Sequence, residues 1–149
     1  MAKTLLALAS TLALGLLPRG AAAAGNAQGV ERAIELRPGQ AVVFPVAIVD
    51  GGVVVGVARA AKPGAVPEEG EIAVQVLKQG ASPYAELTAS EKTEAPVDFV
   101  ADGLVGDIRL DERVVCGRLD APAKSRIYSG SWRISLNRFM VHKESQDCR

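Results

Sequence analysis

Glu71-Ile72-Ala73-Val74-Gln75-Val76-Leu77-Lys78 decides the fold class. In it Ile72, Val74 and Val76 alternate with Glu71, Ala73 and Gln75. A period of two lays one side of an extended chain on a core and turns the other to water. Gly80 to Pro83 then turns the chain, and Ala85, Leu87 and Ala89 alternate with Glu86, Thr88 and Ser90 in a second strand. After a turn over Lys92 to Pro96, Val97, Phe99 and Ala101 alternate with Asp98, Val100 and Asp102. This third strand is expected to pair with its predecessor.

Upstream, Ala60 to Gly70 holds Pro63, Gly64, Pro67 and the acidic pair Glu68-Glu69 without apolar periodicity. It reads as a surface loop, the kind of segment on which recognition sits. Ala41 to Val49 is apolar and rich in β-branched residues, but Pro45 cannot donate to a ladder, so the run is an edge strand or is bulged there. Asp50-Gly51-Gly52 tolerates positive φ, and with Val53 to Arg59 beyond it predicts a hairpin. Further back, Ala33 to Leu36 leads into the turn pair Pro38-Gly39.

Downstream, Ile108 and Leu110 stand against Arg109 and Asp111 ahead of Val114-Val115-Cys116, giving two short strands or one bent one. Asp120 to Ser129, with Pro122, reads as a loop. Gly130 to Val141 closes the domain, with Trp132, Ile134 and Leu136 on one core-facing side. The apolar phase then moves to Phe139 and Val141, which requires a bulge near Asn137 or Arg138, or the end of the strand. About seven to nine short strands at near-regular spacing define an all-β chain, an antiparallel β-sandwich. Its expected arrangement is immunoglobulin-like, with a small closed barrel as the alternative.

Residues Met1 to Ala24 carry the layout of a secretory signal peptide. Lys3 supplies the positive end, Leu5 to Leu17 is an uncharged apolar run, and Pro18 precedes the small residues Ala22-Ala23-Ala24. The run falls short of the ~20 apolar residues that cross a bilayer. Cleavage is expected after Ala24, with a second site after Ala27, leaving a short leader over 25–29 and one domain over 30–149. Export to the periplasm or the medium follows, without stable membrane insertion. Heavy use of Ala, Gly, Val and Arg fits a genome rich in G and C, and so a bacterial source.

The chain holds 17 basic and 17 acidic side chains, and a signal peptide would take away Lys3 and Arg19, leaving 15 against 17. Charges of both signs alternate along it. That excludes the clustered basic footprint of a nucleic-acid binder. Cys116 and Cys148 are the chain's two cysteines. In an oxidising compartment they are expected to form a disulfide, worth about 3 to 4 kcal/mol by the chain-entropy model. They do not form a C-x-x-C pair.

His142 is the single histidine and reads as an exposed tail residue, and no Gly-x-Ser-x-Gly motif accompanies it. A catalytic role is therefore not expected, and no cofactor is implied. Met140 and His142, spaced i and i+2, project to one face if the strand continues. With Cys116 or Cys148 they make a possible soft site for copper or zinc. Asp102, Asp107, Asp111 and Glu112 could ligate calcium, but the interleaved Arg109 and Arg113 suit surface ion pairs better. The expected function is that of a non-catalytic exported domain that binds a protein partner or itself through loops or a sheet edge. The alternative is a small-ligand or metal-binding module on Met140, His142 and the cysteines.

Overall fold

The structure, a computed structural model, describes residues 33–144 and residue 148. The expected signal peptide and leader lie outside the described residues. Ten strands follow one another: β1 (Ile34–Leu36), β2 (Ala41–Val49), β3 (Gly52–Val55), β4 (Arg59–Ala61), β5 (Glu71–Lys78), β6 (Tyr84–Glu91), β7 (Val97–Val105), β8 (Ile108–Val115), β9 (Ala123–Tyr128) and β10 (Arg133–Val141). There is no helix among the described residues. The strands form two antiparallel sheets, a first of order β1-β10-β7-β8 and a second of order β3-β2-β5-β6-β9, with β4 also paired to β2.

The alternating residues of both sheets meet in one core. Leu36, Phe99, Ile134 and Leu136 from the first sheet face Phe44, Val74, Leu87 and Ile127 from the second, all buried. Each such side chain contributes roughly 1.5 to 3 kcal/mol by leaving water. Phe139 joins the two layers, lying edge-on to Phe44 at 5.7 Å and tilted against Phe99 at 5.6 Å. Its inward aim depends on an irregularity in β10: the register with β7 shifts between Asn137 and Met140, and Arg138 takes φ 51°. The apolar phase change in the sequence is this bulge.

The predicted hairpin is present, with Val49 opposite Gly52 and positive φ at Asp50 and Gly51, as the right-handed twist of a two-residue turn demands. Pro45 sits at an irregularity and not on an edge strand. β2 is paired on one side to β5, and on the other first to β4 and then to β3. The chain opposite Pro45 leaves the ladder between β3 and β4, where Gly56 donates to the Pro45 carbonyl at 2.9 Å. The break falls where proline has no N–H to give.

Three expectations are corrected and one alternative is decided. β7 does not pair with β6, because Lys92 to Pro96 carries the chain across to the other sheet, where β7 lies between β8 and β10. The segment read as a loop after Asp120 contains β9, whose Ala123 and Ile127 are buried beside β6. Of two short strands or one bent one, the chain forms a single strand, β8, on which Ile108 and Leu110 are exposed. Trp132 is 72 % exposed, because β10 begins only at Arg133 and Trp132 lies in the turn before it.

Pro45 and Gly56 are coupled sterically: a Cβ on Gly56 would come within 2.4 Å of the Pro45 ring. Gly56→Ala is expected to cost about 1 to 3 kcal/mol of unfolding free energy by overpacking. In a Pro45→Ala background the same substitution should cost less than half as much, read by urea denaturation of the four proteins in the cycle.

Candidate functional site

At one end of the first sheet β7 starts, β8 finishes and β10 runs out, and the side chains there are polar. The bulge at Arg138 turns Phe139 and Val141 toward the core, so Met140 and His142 face outward, and Met140 stands opposite Asp98 in the register. Cys116 follows β8 on the same side, because Val115 pairs with Phe99 and its neighbour falls beside Asp98. Three strands thus deliver Asp98, Cys116 and His142 to one patch.

Asp98 is fully buried and its carboxylate is the centre of the patch. Oδ1 accepts from the Gly117 N–H at 2.8 Å, and both oxygens face His142 Nδ1, at 2.9 and 3.0 Å. His142 also donates its backbone N–H to the Pro96 carbonyl at 2.8 Å. The ring proton is assigned to Nδ1, which leaves the Nε2 lone pair as the ring's free ligand position. Gly117 is required at its position, since a Cβ there would lie 2.4 Å from the backbone of Val97.

Cys116 and Cys148 form the expected disulfide, with Cα atoms 5.8 Å apart and a sequence separation of 32. The bond fixes Cys148 beside the residue that follows β8. One ligand atom from each of Cys116, His142 and Cys148 lies within 4.8 Å of the others. His142 is therefore not the exposed tail residue its position implied: its side chain is about a quarter exposed and is anchored to buried Asp98. Met140, the other expected ligand, is 37 % exposed two residues before it.

Glu91, buried at the end of β6, was not singled out by sequence pattern. Its Oε2 accepts from the Val97 N–H at 3.0 Å, while Oε1 has no partner among the described residues. Burial is the main cause that pushes its carboxyl up to about 7. The Val97 N–H opposes the shift, the Asp98 charge adds to it and His142 opposes it. Alternation on β6 marked the position as inward, but the charge gave no reason to expect it there.

The other expected features resolve differently. Asp102 and Glu112 are held by Arg109 and Arg138, Asp111 by Arg113 and Asp107 by Arg133, so the acidic group is a lattice of surface ion pairs. The loop before β5 does not stand free. Gly64 donates to Gln75 Oε1 at 2.7 Å, Pro67 is buried, and Arg59 clamps Glu71 at 2.6 and 2.9 Å. At the opposite end of β10, Trp132 borders an open groove of about 960 Å³ with Gln40, Lys78 and Arg133.

Comparison of the chain with protein-family models, with curated proteins and with solved structures found no match.

Glu91 makes stability depend on pH. The unfolded carboxyl ionises near 4.5 and the folded one near 7, so across that window the folded chain binds more protons and stability falls as pH rises. The contribution is full below 4.5 and gone above about 7. Glu91→Gln is expected to be roughly 2 to 3 kcal/mol more stable than wild type at pH 8, with the difference vanishing near pH 4.5. Urea denaturation at the two pH values checks it.

Proposed function

We propose that this protein is an exported, non-catalytic β-sandwich that works by contact with another chain, and that the contact is self-association of two copies through β3. The carrying observation is the edge strand itself. Gly52-Val53-Val54-Val55-Gly56 reads the same in both directions. Two copies laid antiparallel about Val54 place Val53 opposite Val55 and Gly52 opposite Gly56, an isologous pairing. Val53 and Val55 already pack on the core, whereas Val54 is 56 % exposed and would meet its own copy.

Charge supports the same occupant. No charged residue lies between positions 51 and 58, so two copies approach without like-charge repulsion. The far edges of the sandwich are treated differently: β8 and β9 carry Arg109, Asp111, Arg113, Lys124 and Arg126, and Asp111 Oδ2 accepts from the Tyr128 N–H at 2.9 Å to tie the two edges together. Charged, tied edges resist strand addition, and a neutral valine edge invites it.

Export is supported by the Cys116–Cys148 bond, which is compatible with an oxidising compartment, and by the signal-like start of the chain. A non-catalytic role is supported by the engagement of both thiols in the disulfide. Strand number and connections that cross between two packed sheets support an immunoglobulin-like kinship.

Sedimentation velocity over a dilution series tests the proposal. Wild type is expected to be a dimer that dissociates on dilution, and Val54→Lys a monomer with its melting temperature changed by no more than a few degrees. A wild-type chain that stays monomeric at every concentration refutes it.

A further inference from the structure

We infer that Cys116, Cys148 and His142 form a redox-gated site for a thiophilic d10 cation, Zn²⁺ or Cu⁺, closed while the disulfide stands and opened by a dithiol reductant. The inference does not rest on the β3 contact. Its first support is convergence: one ligand atom from each of the three residues lies within 4.8 Å of the other two. In a tetrahedral zinc site, with Zn–S near 2.3 Å and Zn–N near 2.0 Å, ligand atoms stand about 3.3 to 3.8 Å apart. The imidazole thus stands within reach of both sulfurs, which the disulfide holds bonded to each other and which reduction leaves to separate to that spacing.

The second support is independent of the sulfurs. A histidine that ligates metal through one nitrogen normally donates its other N–H to a carboxylate, which fixes the ring and raises its basicity. Asp98 holds that position. It is fully buried, and both its oxygens lie within hydrogen-bond reach of Nδ1. The Gly117 N–H fixes one of those oxygens from the residue next to Cys116, so the carboxylate, the ring and one cysteine are braced together. Three protein ligands leave a fourth position open. Met140 shares the outward face of β10 two residues away, and its thioether suits Cu⁺ and not Zn²⁺.

Opening balances without change at the metal. A dithiol reductant gives two electrons and two protons to the Cys116–Cys148 bond. The S–S bond breaks, two thiols form, and the reductant becomes a disulfide. Each cysteine thiol then loses its proton as the cation binds, so two protons are released per ion. Cys148 lies outside the ten strands, so its sulfur can part from that of Cys116 without breaking a ladder.

The full chain, reduced with a phosphine and freed of it under argon, is titrated with Co²⁺ and then Zn²⁺. The expected result is one Co²⁺ per chain with a thiolate-to-cobalt charge-transfer band that Zn²⁺ abolishes, and no band in the oxidised chain. His142→Ala should weaken binding at least tenfold and Asp98→Asn by 10- to 100-fold. Cys148→Ser, which lacks the disulfide, reports by far-UV circular dichroism whether the strands survive opening, and should bind more weakly with a diminished charge-transfer band, since one thiolate ligand remains. Transfer of Cu⁺ from its bicinchoninate complex, weakened by Met140→Leu, assigns copper, and zinc binding without such transfer assigns zinc. The inference is overturned if the reduced chain takes up neither ion, if oxidised and reduced chains bind alike, if His142→Ala is without effect, or if far-UV circular dichroism shows that reduction unfolds the strands.

Discussion

The bulge at Arg138 is the constraint on which both the core and the candidate site depend. Ahead of it Ile134 and Leu136 face inward, and beyond it Phe139 does. An unbroken β10 would send Phe139 to solvent and drive His142 into the apolar layer. One residue held at φ 51° therefore lets a single strand complete the aromatic contact between Phe44 and Phe99 and present an imidazole to the opposite face. Arg138 is fixed there in part by Glu112, 2.6 Å from its guanidinium.

The buried polar groups cluster at the end of the sandwich that this strand reaches. Asp98 and Glu91 each take an N–H from the backbone, Asp98 from Gly117 and Glu91 from Val97. These bonds tie the crossing between the sheets to the end of β8, and burial without them would be costly. Asp98 is more fully partnered, with His142 on both oxygens, whereas Glu91 Oε1 has no partner among the described residues and burial pushes the carboxyl up to about 7. The disulfide fixes Cys148 at this end, beside Cys116.

The two lateral sides of the molecule contrast in a way that composition conceals. Net charge is near zero for the chain as a whole, yet ion pairs gather on β8 and the outer face of the first sheet while β3 carries none. A sheet edge exposes hydrogen-bonding groups whatever its side chains, so the placement of charge decides which edge stays open to another strand.

Alternation in the sequence was enough to mark β5, β6 and β7, because a half-buried strand must repeat every two residues, and Asp50-Gly51-Gly52 marked the hairpin of β2 with β3. Alternation also marked the bulge in β10, where the apolar phase slips, while the count of two cysteines marked their pairing. Which sheet each strand joins was a tertiary decision: β6 and β7 have the same pattern and sit in different layers, since alternation records a face and not a neighbour. Trp132 shared the phase of Ile134 and Leu136 but lies outside, because burial needs an opposing strand as well as a period. His142 looked like a tail residue until β7, β8 and β10 brought Asp98 and the Cys116 sulfur to it from positions 44 and 26 residues away. Contacts of that span leave no local trace in composition or spacing, and only the packed chain shows them.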